Sequence, residues 1–221
     1  MTWTAHPRNA DKLLVLQLIL NHEHLSGALG EALSKCRHRL FIATADVKEL
    51  HIPMPSRRGR FSDRAPRTDA RRGPRPAASG ARYPHPRGRG GSQSILDVFH
   101  DLGDRGVEVH VLHSGVPSGP FLGALKNGVP RTLTMRRCPR VHAKAVIADG
   151  RWMYLGSANL TGAGLGAKSP RRRNFETGIW TDDVSLIDPV LDMLQTVWDG
   201  GECPSCGRKE HCPVPLEEPH L

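Results

Sequence analysis

The chain has 221 residues, 38% of them hydrophobic, with 5 cysteines and a formal net charge of +9. That length can build one domain with its own core. No apolar run approaches a membrane span, residues 13–20 are short and lack a secretory cleavage pattern, and an odd set of cysteines grouped toward the C-terminus does not suit a secreted disulfide framework, so a cytoplasmic protein without integral membrane association is expected.

Residues 1–38 read as an N-terminal helical segment. Residues 11–20 suggest a short buried helix. Ser26 is a candidate N-cap for a second helix running to about Cys36, with Ala28, Leu29, Ala32 and Leu33 on one face. Residues 39–199 read as the principal domain. It opens with a strand over 40–47 (L-F-I-A-T-A-D-V), apolar enough to be buried on both faces. Residues 53–91 interrupt it. Within 57–90 there are 11 Arg, 2 Asp and no Lys or Glu. That stretch alone therefore carries +9, and the rest of the chain is close to neutral. Its Arg, Pro, Gly and Ser cannot bury enough apolar surface to order themselves, so a disordered insertion or long loop is expected. Two readings stand for it: a nucleic-acid tether acting through phosphate contacts, and a low-complexity expansion without a specific role.

Order is expected to return at Ser92. Ile95, Leu96, Phe99 and Leu102 form a helical face that Gly106 terminates. An alternating strand follows over 107–112, then a short helix over 120–126 between Pro120 and Gly128, and a weaker strand over 131–135. A further strand is expected over 175–180, and a closing helix over 185–198 with Leu186, Val190, Leu191 and Leu194 along one side. Such an order describes an α/β fold, a mixed β-sheet flanked by helices.

Residues 141–166 carry the chemistry. Two β-rich runs flank Asp149-Gly150, a strong signal for a two-residue type I′ hairpin. Closed there, the hairpin pairs Ala148 with Arg151, Val146 with Met153 and His142 with Ser157. Side chains alternate along a strand, so His142, Lys144 and Ser157 share one face, with Asn159 beyond them. An imidazole, an ammonium, a hydroxyl and an amide then meet at one hairpin end, which suits a phosphate with a nucleophile beside it. Taken singly, a strand histidine is ordinary, the turn explains Asp149, and Ser157 and Asn159 are common polar residues at a strand end. The information lies in the joint pattern.

That pattern is H-x-K-x4-D (His142, Lys144, Asp149), then G-S-x-N (Gly156, Ser157, Asn159), then Glu176 after Asn174 and Phe175. It resembles the HKD motif of the phospholipase D superfamily, over roughly residues 40–198 apart from the Arg-rich insertion. The resemblance implies phosphodiester cleavage in which a His attacks phosphorus, water resolves the phosphohistidine, and a His from a second motif protonates the leaving oxygen, with no metal needed for catalysis. His142 then takes the nucleophile's role, suited to neutral imidazole. Lys144, Ser157 and Asn159 hold the phosphate oxygens, and Glu176 orients the imidazole. Asp149 completes the motif, although the turn accounts for it without catalysis.

Only one HKD motif is present, so the resemblance implies a homodimer in which two copies of His142 face one phosphate. A monomer borrowing His110 or His113 as its acid is the alternative. Arg136, Arg137 and Arg140 precede His142, and Arg171, Arg172, Arg173 and Asn174 precede Glu176. Arginines at strand ends suit a polyanionic substrate, although Arg runs are commonly solvated surface. A nuclease acting on DNA or RNA is the expected activity. A phospholipase or phosphatidyl transferase is the alternative, and a non-catalytic nucleic-acid-binding module has no need of the nucleophile.

Residues 200–221 form a Cys-rich tail. Cys203 and Cys206 in C-P-S-C, followed by Cys212, supply three ligands of a structural zinc site. Cys138, His211 and His220 are candidates for the fourth, with Cys138 favoured by its place just before His142. The bland reading is reduced cysteines in a flexible tail. A redox C-x-x-C is not expected, because the motif does not open a helix after a strand.

Overall fold

The computed structural model describes residues 14–53 and 92–219. The Arg-rich stretch 54–91 and His220 lie outside the described residues. A seven-stranded mixed sheet forms the centre. In chain order the elements begin with β1 (Leu16–Leu20) and a helical segment α1, π-helical over His24–Gly30 and α-helical over Glu31–Lys35. Next come β2 (Arg39–Thr44), β3 (His51–Pro53), β4 (Ser92–Ser94) and α2 (Ile95–Asp104). Then follow β5 (Glu108–His113), α3 (Gly119–Lys126), β6 (Leu133–Arg137), β7 (Ala145–Ala148) and β8 (Trp152–Gly156). The last are β9 (Thr177–Thr181) and α4 (Val184–Trp198). The sheet order is β1-β9-β8-β7-β2-β5-β6. β2, β5 and β6 run parallel, and the remaining neighbours are antiparallel.

Alternation along β2 shows why both faces are covered. Leu40 and Ile42 point into one core with side chains of α1, α2 and α3, while Phe41 and Ala43 point into a second with Ile187, Leu191, Leu194 and Trp198 of α4. The expected mixed sheet flanked by helices is therefore the observed architecture, in three layers. α2 opens with a reciprocal cap in which Ser94 and Asp97 satisfy each other's backbone N–H, and it stops at Gly106 with φ +79°.

The N-terminal reading needs correction. Residues 16–20 are an edge strand paired with β9, not a buried helix, and Leu16, Leu18 and Leu20 are exposed. L-Q-L-I-L fits either period, and tertiary pairing decided it. Ser26 lies inside α1, whose first turn follows Glu23 with no side-chain cap. β6 begins two residues later than expected, and Phe175 lies outside β9. The sequence also gave no sign of the ladder between β3 and β4, in which Pro53 pairs with Ser92. This ladder brings the two ends of the Arg-rich stretch together.

The hairpin turn forms where the sequence puts it. Asp149 and Gly150 both have positive φ (54° and 64°), and Arg151 N–H donates to Ala148 O at 3.0 Å. The register nevertheless differs by one, because Ala148 pairs with Trp152 and Ala145 with Leu155. Arg151 is an extra residue at the turn, a bulge that shifts all later pairing. The Asp149 carboxylate accepts N–H bonds from Arg37, His38 and Arg39 at 2.8, 2.8 and 2.9 Å. Burial raises its pKa, but those bonds outweigh burial and hold it below the usual carboxylate value. Cys36 lies against the same carboxylate, and burial followed by the charge of Asp149 pushes its thiol up to about 12.

Asp149→Asn keeps the turn but replaces a charged acceptor by a neutral one. We expect a loss of about 1–3 kcal/mol at neutral pH, measured by denaturant unfolding. The native carboxylate titrates below its unfolded value, so the wild-type advantage is present above the unfolded pKa and disappears as pH falls through the folded one. An unfolding difference independent of pH would contradict this role.

Candidate active site

One end of the sheet collects the polar residues. The parallel strands β2, β5 and β6 finish there, β7 and β9 start there, and β1 and β8 end there. His142 and Lys144 lie in the extended lead-in to β7 rather than within the strand. His142 is exposed, whereas Lys144 is buried. The Lys144 ammonium donates to His142 O at 2.8 Å and meets His142 Nε2 at 2.9 Å. An ammonium can only donate, so Nε2 carries the lone pair and the ring proton sits on Nδ1. Burial lowers the Lys144 pKa, and the charges of Glu176 and Asp46 partly restore it.

β8 delivers the second half of the set. Gly156 lets the chain pass closely, because a Cβ there would strike Tyr154 Oη and come within 2.6 Å of Thr177 O. Ser157 donates to Glu176 Oε2 at 2.5 Å, and Asn174 Nδ2 donates to Oε1 at 2.9 Å. The expected Glu176–His142 hydrogen bond is not among those formed, and Glu176 instead accepts from Ser157 and Asn174. Nor does Ser157 lie directly across from His142, as the one-residue bulge dictates. Asn159 turns inward. Its Oδ1 accepts from Ala45 N at 3.1 Å, Asp46 N at 3.3 Å and Thr44 Oγ1 at 3.3 Å. These donors fix the amide's orientation, so Nδ2 is its donor side.

Asp149 does not join this cluster. It sits at the opposite end of β7, separated from His142 by about 20 Å of extended chain, where it holds the entry to β2. Of the expected acids for a monomer, His110 stacks on Trp198 at 4.5 Å. His113 is buried with Nδ1 against Gly115 O at 2.8 Å. Neither ring is presented as His142 is.

The arginines divide. The Arg136 guanidinium lies 4.7 Å over Trp198 and donates to its carbonyl. Arg137 engages Ser114 O and Glu217, and Arg140 makes an exposed pair with Glu202 at 3.8 Å. Arg171 and Arg172 are exposed on the turn leading to Glu176, with Arg173 half-buried and Asn174 serving Glu176 directly. Beside them Phe175 is 95% exposed. Sequence reasoning did not single out Asn21 or Thr44. Asn21, at φ +49°, holds the Glu176 backbone by two hydrogen bonds. Thr44 Oγ1 accepts from Leu160 N at 3.0 Å and so fixes the Asn159 loop. The positive φ that Asn tolerates was the only local signal for Asn21.

An open cavity of about 550 Å³ adjoins His142 on the α4 side, lined also by Arg140, Met193, Thr196 and Glu202. Ser157, Asn159 and Glu176 do not line it, so it is an approach to His142 rather than the polar cluster itself. Cys138, Cys203, Cys206 and Cys212 line a neighbouring cavity.

Comparison with known families now bears on this geometry. The family described as "Cardiolipin synthase, PLD-like domain" matches residues 91–198, which include His142, Lys144, Ser157, Asn159 and Glu176. Residues 91–198 thus match a phospholipase D-like domain. Among solved structures, NucT from Helicobacter pylori superposes with a TM-score of 0.51 at 15% identity, covering 83% of this chain and 95% of that one. Nuc from Salmonella typhimurium, a phospholipase D family member, gives 0.49 at 16% identity over 85% and 95%. Phosphatidylserine synthase from Haemophilus influenzae gives 0.46 at 13%, with this chain covering 39% of its length. No curated protein matches the sequence. At 15% identity the likeness to NucT establishes a shared fold alone. The matched stretch is a phospholipase D-like domain, the domain type of phosphodiester-cleaving or phosphodiester-transferring enzymes.

The Lys144 environment generates a prediction. Removing the Glu176 charge as Glu176→Gln leaves burial less opposed, so the Lys144 pKa falls further. The 13Cε resonance of Lys144 should then titrate at lower pH than in wild type. An unchanged or higher titration midpoint would contradict the coupling.

Proposed function

We propose that this protein is a nucleic-acid phosphodiesterase that works through a phosphohistidine on His142. The observation carrying the reading is an exposed imidazole whose Nε2 lone pair is held by a buried ammonium, 2.9 Å away. That is an arrangement for a nucleophile and an anion together. An entering phosphodiester would take the Lys144 ammonium onto a phosphoryl oxygen and free Nε2. Nε2 then bonds to phosphorus as the P–O bond to the leaving group breaks, and a second imidazole gives its proton to that oxygen. Water next attacks phosphorus, its proton passes back to the second imidazole, and the P–N bond breaks. Asn159 Nδ2 is the further donor on the phosphate side, and the Ser157 hydroxyl, whose one proton goes to Glu176 in the free site, joins it only by turning from that carboxylate. Glu176 anchors Ser157.

Two features favour nucleic acid over lipid. Val47 bridges Leu160 just beyond the end of β2, so the β3–β4 ladder emerges at the catalytic end and attaches the Arg-rich stretch there. Exposed Arg171, Arg172 and Phe175 offer phosphate contacts and a ring for stacking bases. No helix among the described residues is long and apolar enough to cross a membrane. A cytoplasmic location is part of the proposal, as is a homodimer whose two-fold axis passes between two His142 copies, since a two-fold interface brings equivalent residues together.

The test uses purified protein with EDTA present, offered single-stranded DNA, duplex DNA, RNA and phospholipid vesicles. Nucleic-acid cleavage is expected, falling at least about a thousandfold in His142→Ala with the fold intact, the scale seen on removing a covalent nucleophile. Lys144→Ala should also be severe. Deleting residues 55–90 should weaken binding and flatten its salt dependence. Cleavage of lipid alone, or wild-type rates in His142→Ala, would overturn the reading.

The dimer is tested separately. Sedimentation should show two chains at assay concentration, and mixed dimers of wild type with His142→Ala should be impaired. A fully active monomer would refute the shared site.

A further inference from the structure

The tail after α4 has a standing that the chemistry at His142 does not explain. No residue from 199 to 219 is buried, and its only helical turn is the three-residue Lys209–His211. It nevertheless lies along β6, where Arg137 N–H donates to Glu217 O at 3.0 Å and the two side chains pair at 3.7 Å. Partly exposed ion pairs stabilise little, and so little apolar burial does not offset the entropy of ordering some twenty residues.

What the tail does carry is sulfur. Cys203, Cys206 and Cys212 line one cavity of about 180 Å³ with Cys138, which comes from the end of β6. Cys138 thus converges with three cysteines of a tail more than sixty residues later in the chain. Cys203-Pro-Ser-Cys206-Gly closes as a turn, with Cys206 N–H donating to Cys203 O at 3.2 Å, and this presents two thiols from one short loop. Four thiols facing one small cavity are a donor set that suits a tetrahedral divalent cation. All of them are free of disulfides. The competing ligand His211 is exposed, with its ring 3.4 Å from Glu210.

We propose that Cys138, Cys203, Cys206 and Cys212 bind one structural Zn²⁺ as a tetrahedral tetrathiolate that fastens the tail to the end of β6. Each thiol releases its proton to solvent as it binds. Among the described residues no three such side chains already stand together as a metal-binding group, so binding would have to draw the sulfurs inward across the cavity they share. Cys138, Arg140, Val197 and Glu202 line both this cavity and the one beside His142. The metal therefore also fixes one wall of the approach to the active site. None of this rests on the phosphodiesterase reading.

The test is elemental analysis of the full chain purified without chelator from zinc-supplemented cells, with Co²⁺ substitution as a spectroscopic probe. One zinc per chain and the absorption of a tetrahedral cobalt thiolate are expected. Cys138→Ser and Cys203→Ser should lose both signals, while His211→Ala and His142→Ala keep them. Loss of metal should open the tail to trypsin at Arg208 and Lys209 while circular dichroism shows the sheet intact. Zinc-free protein, iron in place of zinc, a Cys203–Cys206 disulfide, or full zinc retention by Cys138→Ser would each overturn the proposal.

Discussion

The grip of the Asp149 carboxylate on three successive backbone N–H groups, those of Arg37, His38 and Arg39, is the constraint on which the site depends. It is made once, at the end of the sheet remote from the chemistry. It joins the only turn of the β7–β8 hairpin to the start of β2, and Asp149 N–H returns a bond to Arg39 O. With that corner closed, β2 and β7 pair as Leu40 with Ala148 through Ala43 with Ala145. Their far ends then fall beside each other, so the chain before Ala145 and the chain after Thr44 meet. The residue that reads as part of a catalytic signature thus acts on His142 through the register of a strand.

The same end of the sheet separates two jobs by burial. Lys144 is kept from water and held between His142 and the charges of Glu176 and Asp46. Its ammonium is directed by the backbone carbonyl of His142, not free to sample solvent. His142 itself is exposed. A cation fixed behind an accessible imidazole costs little reorganisation when an anion arrives, which is the condition for electrostatic help in a transition state. Ser157, Asn174 and Glu176 form a second polar unit beside the first, braced by Asn21 from the edge strand β1.

The arginines show why a charge count is a poor guide to an interface. Arg136 and Arg137 precede His142 closely in sequence, yet both are spent on holding the end of α4 and the tail against β6. Arg171 and Arg172 have no comparable burial and stand on the turn beside Phe175. The basic residues available to a polyanion are thus a subset of those a composition reading would choose.

The sequence by itself determined the layered α/β class, the hairpin turn at Asp149-Gly150 and the gathering of His142, Lys144, Ser157 and Asn159 at one polar end, whereas Glu176 was reached only through the family resemblance. Those features follow from local periodicity, from the left-handed φ that Asp and Gly tolerate, and from spacing along a strand, all of which are short-range. The tertiary structure alone decided the rest. Residues 16–20 became an edge strand because β9 offered an unpaired ladder, not through any propensity of L-Q-L-I-L. The bulge at Arg151 moved the register by one and took Ser157 from His142 to Glu176. The backbone of β2 claimed Asp149, and the convergence of Cys138 with a tail more than sixty residues later in the chain needed β6 to lie at the sheet edge. In each case the deciding partner is distant in sequence, and pairing between distant segments leaves no periodic trace in either one.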